Sequence, residues 1–184
     1  MTDIQNYTKI VGMNKTINEE KLNSIKTFRM PRYQELPNVG LYLEQTAKYI
    51  NGFLSPLGCM EITTSMISNY VKKKLIAGPV KKQYYADQIA YLFFIAIAKN
   101  VLSMEHIQLL FERQQKTYTN QVAYDYFCSE LENHIFYLFG LKDTIDQIGS
   151  SSTSEKDMLK SVLISASHII YLSCLFQSVH NESI

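Results

Sequence analysis

Five lysines and no carboxylate fall between Ile62 and Ala86: Lys72, Lys73, Lys74, Lys81 and Lys82. The other 159 positions hold 13 basic and 17 acidic residues, a net of −4, although the whole chain is +1. The positive field is therefore confined to one short segment, and ammonium groups so gathered are suited to neutralising phosphates. The same segment carries Thr64, Ser65, Ser68 and Asn69. Their hydroxyl and amide groups can read base edges in a major groove, Asn with adenine and Ser or Thr with several partners. The plainer reading is a solvated basic face, with Thr64 and Ser65 as helix-capping residues. Tyr70 and Tyr84 border the segment. Their rings suit the core, and their hydroxyls could still reach a phosphate.

Few other residues are spaced for chemistry. Glu130 and His134 stand at i, i+4 with Glu132 between them, but no second such pair and no H-E-x-x-H completes a metal set. His106, His168 and His180 are scattered, and no glycine-rich phosphate loop or nucleophile motif is present. No catalytic residue, metal ligand or cofactor is assigned, and the expectation is a protein that is not an enzyme. Cys59, Cys128 and Cys174 are odd in number and far apart, which fits a reduced intracellular setting. The polar start MTDIQNYTKIV lacks a signal-peptide core. The apolar runs Ile89–Ala98 and Val162–Phe176 are read as too short to span a bilayer, and the second contains His168. A cytoplasmic protein with no membrane partner is expected.

The residues that matter must be held by helices. A leader over 1–17 precedes a short helix, Glu19–Phe28, capped by Asn18. Met30–Pro37 reads as an extended connector. Val39, Leu43, Thr46, Ala47, Ile50, Phe53 and Leu54 then follow helical spacing, until Pro56 and Gly58 stop the helix. Thr63 caps a second helix, Thr64–Lys74, with Met66, Ile67, Tyr70 and Val71 on one side and the polar and basic residues on the other. The Gly78-Pro79 pair marks a turn in a small β-hairpin that carries Lys81 and Lys82. Ala86–Lys99 is apolar nearly all round and predicts a buried central helix. Ser103 caps the next helix. Two longer ones, Thr119–Phe139 and Glu155–Val179, flank the serine-rich stretch at 149–154, read as a flexible joint. Along the last helix Leu159, Val162, Ala166, Ile169, Ser173 and Phe176 form a coiled-coil-like seam, for internal packing or for a second copy.

This order of elements resembles the MerR-type DNA-binding domain. Tyr70 with Leu75-Ile76 resembles the close of that family's recognition helix, Lys82-Gln83-Tyr84 the end of its wing, and Leu102–Ile107 the capped turn that follows. Over roughly residues 30–115 the chain also resembles an uncharacterised bacterial family, known as a domain of unknown function with an expected MerR-like fold. The matching residues are Leu36-Pro37, Leu41–Gln45, Thr63–Lys72, Lys81–Tyr84 and Gln88-Ile89. Two positions depart from the MerR pattern: Ser68 replaces an arginine, and Lys74 replaces the glycine that ends the helix. A lysine in the left-handed conformation costs about 1 kcal/mol, so a different helix ending is expected there.

The resemblance implies a mainly α fold, a MerR-like winged helix-turn-helix over 36–115, between an N-terminal leader and short helix (1–35) and a helical C-terminal region (116–184). The expected function is that of a transcriptional regulator binding double-stranded DNA through Thr64, Ser65, Ser68, Asn69, Lys72, Lys73, Lys81, Lys82 and Tyr84. A homodimer through the C-terminal helices is expected, because one module covers too little DNA for tight specific binding. Nine of the 22 aromatics lie in those helices, as core or as the lining of a small-molecule effector pocket. The alternative is a winged-helix module that binds protein and not DNA.

Overall fold

The computed structural model describes residues 17–149 and 153–182. The leader expected over 1–17 lies outside them except for its last residue, as does the middle of the serine-rich joint. The fold is mainly helical, with one small antiparallel sheet. Its elements are α1 (Glu19–Lys26), β1 (Leu41–Tyr42), α2 (Leu43–Leu54), α3 (Thr64–Lys72), β2 (Gln83–Tyr84), α4 (Ala86–Ala98), α5 (Met104–Thr117), α6 (Asn120–Leu138) and α7 (Ser154–Glu182).

Helix starts follow their caps. Asn18, Thr63, Ser103 and Thr119 each accept a backbone N–H from the first turn that follows. Helix α4 is the centre of the molecule: Ile89, Leu92, Phe93, Ile95, Ala96, Ile97 and Ala98 are fully buried. Phe93 lies 6.1 Å from the rings of Tyr49 and Phe53 on α2 and of Tyr124 on α6. One aromatic node thus ties the N-terminal half to the C-terminal helices, and each such pair adds about 0.5–1.5 kcal/mol beyond its area.

Four details differ from the sequence expectation. The helix expected from Val39 starts at Leu43, because Leu41 and Tyr42 pair with Tyr84 and Gln83 as strand. Gly40 permits this approach: a Cβ there would stand 2.6 Å from Gln83 Cβ. The hairpin turns at Lys81-Lys82 and not at Gly78-Pro79; Val80 and Gln83 exchange both backbone hydrogen bonds at 2.9 Å. The inward seam of α7 is rotated from the expected one. Val162, Leu163, Ala166, Ser167, Ile170, Tyr171, Cys174 and Ser178 are buried, whereas Phe176 is 71% exposed. Finally, the run judged too short for a membrane belongs to a helix that is long and apolar enough to cross one by length and composition. That helix packs along α6, and 44% of its apolar window is buried.

Candidate nucleic-acid interface

Helix α3 is held from below. Ile67 and Tyr70 enter the core, and burial raises the Tyr70 hydroxyl's pKa. The approach to α3 is fixed by Asn51 of α2. Its amide donates to the Ile62 carbonyl and its oxygen accepts the Ile62 N–H, both at 2.9 Å. With that side occupied, Ser65, Ser68, Asn69, Lys72 and Lys73 face solvent, and Thr64 is half-buried. Ser65 shares a hydrogen bond with Thr63, and Ser68 Oγ donates to the Thr64 carbonyl at 2.9 Å. Both hydroxyls therefore have local roles and keep acceptor capacity outward.

The end of α3 is unusual. Lys74 N–H donates to Val71 O and Leu75 N–H to Tyr70 O, both at 2.9 Å, with Lys74 at φ 59°. This is a Schellman ending with lysine at the left-handed position. The helix ends the way a glycine would end it, which corrects the expected difference. Helix α6 closes with the same pair of bonds on Gly140, at φ 66°. One chain thus uses glycine for this geometry at one helix and lysine at another.

The hairpin repeats the pattern. Lys81 and Lys82 take φ 49° and 65°, the two-residue turn that Asn-Gly normally fills. Among the described residues the non-glycine positive φ angles belong to Lys74, Lys81 and Lys82 alone, all from the acid-free segment. Each costs about 1–3 kcal/mol against a relaxed backbone. All five lysines of the segment are exposed, and none pairs with a carboxylate among the described residues.

Hairpin and helix are neighbours. The backbone of Gly78 packs close enough to α3 that a Cβ there would lie 3.6 Å from Val71 Cγ1. Lys81 is three residues further on, within roughly 11 Å along the chain. The buried Gln88 side chain pins this loop, donating to the carbonyls of Ala77 (3.1 Å) and Gly78 (2.7 Å) while accepting the Tyr85 N–H. Tyr84 is not on the outward face. It is 4% exposed, and burial raises its hydroxyl's pKa, so it anchors β2 from inside.

Residues 31–127 match the family described as Domain of unknown function (DUF1836). The matched stretch covers more than half of the chain. The protein belongs to that family. The DUF1836 match runs from Pro31 through α5 and ends inside α6. It therefore contains the whole acid-free segment, Asn51 and Gln88. Neither a curated protein nor a solved structure matches the chain.

The other candidate group, Glu130, Glu132 and His134, lies on α6. Glu132 makes a two-pronged pair with Arg32 (2.8 and 2.6 Å) and also accepts the Met30 N–H, joining α6 to the segment before β1. Glu130 and His134 are buried, 3.7 Å apart, with the Lys160 ammonium 3.3 Å from Glu130. Lys74 is legible as the residue standing where a helix-ending glycine is expected, whereas nothing in the sequence marks Lys81 and Lys82 as strained positions. Two lysines where a tight turn needs positive φ become a signal only once the turn is located.

Proposed function

We propose that this protein is a transcriptional regulator that binds double-stranded DNA through a MerR-like winged helix-turn-helix. Helix α3 enters the major groove and presents Thr64, Ser65, Ser68 and Asn69 to base edges. Lys72 and Lys73 at its end, with Lys81 and Lys82 on the hairpin wing, hold the flanking phosphates. Lys74 stands beside them at the helix end.

One observation carries this reading. Three lysines hold a backbone conformation that glycine or asparagine would take with less strain; all three are exposed within one acid-free segment, and among the described residues none forms an ion pair with a carboxylate. Strain kept at exposed cations argues that the charge itself is needed. A solvated face would lose nothing by changing them. The exposed α7 stripe of Leu172, Phe176 and Val179, at i, i+4 and i+7, supports a dimer in which a second copy supplies the second half-site reader.

The test is retention of mixed genomic duplex by the purified protein in a gel-shift at 50 mM and 300 mM salt. Binding at the lower salt that is lost at the higher supports the proposal. No retention at either salt, together with capture of a protein partner through the same face, would replace it with the protein-binding alternative.

A further inference from the structure

A cavity of about 190 Å³ opens between α4, α5, α6 and the first turn of α7. It lies outside the acid-free segment, so a ligand there would bind whether or not the protein binds DNA. Ala90, Phe94 and Phe127 are buried and form its floor, whereas Val122 is exposed and stands at its mouth. Rings make most of the remaining wall, and they brace one another. Tyr91 meets Phe111 at 4.4 Å, and Phe94 meets Phe111 at 5.5 Å and Phe127 at 5.6 Å. The walls are therefore held by their own packing. An apolar cavity of about 150 Å³ is enough to take benzene, so this one has room for a ring and a small alkyl substituent.

The polar groups of the wall are engaged elsewhere. The Tyr91 hydroxyl donates to Asn120 at 2.7 Å and accepts from Gln115 at 2.9 Å. Gln114 donates to the Tyr118 carbonyl at 2.8 Å, and the Tyr118 hydroxyl shares a hydrogen bond with Thr153 at 3.0 Å. The Glu155 carboxylate pairs with Arg113 at 3.1 Å. The Lys156 ammonium lies 5.2 Å from the centre of the Tyr126 ring, and a Cβ on Gly149 would stand 3.4 Å from it. The Tyr124 and Tyr126 hydroxyls are closed off from cavity and solvent alike, the first beside Cys128 and the second beside the Glu130 and Asp157 carboxylates. These two residues lend the cavity ring surface and not their hydroxyls. A charge moved into such a place gives up its water and receives nothing of equal strength. A neutral apolar molecule has no such loss, and it gains contact with the rings.

We propose that this cavity is a binding site for a neutral, apolar ligand of one aromatic ring with at most a short alkyl substituent. The ring lies between the α4, α5 and α6 aromatics, and charged counterparts of the same ring are excluded.

Toluene, benzoate and benzylamine are the probes, each titrated into the isotopically labelled full chain and followed by amide chemical shifts. The site predicts saturable toluene shifts centred on α4 to α6, with a dissociation constant of roughly 1 mM or tighter. Benzoate and benzylamine bind the same place more weakly, by about tenfold or more. Ala123→Leu, or Leu110→Phe if that variant does not fold, fills the cavity and abolishes toluene binding. Toluene shifts that stay linear, that fall elsewhere, or that survive cavity filling in a folded variant overturn the proposal. So does a charged ring that binds as tightly as toluene.

Discussion

Lys81 and Lys82 occupy both central positions of the turn between Val80 and Gln83, each in the left-handed conformation. Lysine offers no local stabilisation there, whereas Asn-Gly fits both dihedral pairs. The double change Lys81→Asn with Lys82→Gly should stabilise the protein by about 1–2 kcal/mol in urea unfolding. The same variant should lose DNA affinity. A gain in stability with unchanged DNA binding would mean that the strain serves something else.

Gln88 is the link between the core and the wing, and it is buried. Gln88→Leu fills similar space but leaves the Ala77 and Gly78 carbonyls and the Tyr85 N–H without their side-chain partner. The expected cost is about 1–3 kcal/mol by denaturant unfolding. Amide exchange in residues 77–84 should rise more than in α4. Uniform loosening would contradict the pinning role.

His134 is buried on α6, facing Glu130 of its own helix and Lys160 and His168 of α7. Burial is the main cause that lowers its pKa; Glu130 opposes this, while Lys160 and His168 add to it. The unfolded chain takes up its proton near pH 6.5, and the native protein only at lower pH. This contribution to stability is therefore complete above about pH 6.5 and is lost as the pH falls toward the native pKa. The melting temperature should drop between pH 7 and pH 5, and His134→Gln should flatten that drop. An unchanged slope in the variant would assign the pH dependence to other groups.

Phe176 is the most exposed large apolar side chain on α7. If a second copy covers this stripe, Phe176→Glu should turn a dimer into a folded monomer in sedimentation equilibrium, with little change in melting at low concentration. A wild-type chain that is monomeric at about 100 μM would remove the dimer from the account.

Much of the fold is legible from the chain because its signals are local and redundant. Asn18, Thr63, Ser103 and Thr119 act as caps, and α4 declares its burial by composition. The missed features depend on contacts distant in sequence. Leu41-Tyr42 is too short for a period to register and becomes strand only through Gln83-Tyr84. The turn at Lys81-Lys82 carries none of the residues that mark turns, while the nearby Gly78-Pro79 does. On α7 the rotated seam rests on Ala166, Ser167 and Cys174, small side chains that let α6 come close and add little to a hydrophobic pattern. Of the candidate site, the outward face of α3 follows from its spacing. The inward placement of Tyr84 was one of two readings, and the fold chose the core.

The most direct test is the salt dependence of duplex binding, followed by fluorescence anisotropy for the wild type and for Lys72→Ala, Lys81→Ala, Lys82→Ala combined. The account predicts a linear fall of log affinity with log salt, and a slope shallower by roughly 2–3 in the triple variant. Equal slopes for the two proteins, or no binding by the wild type at low salt, would contradict it.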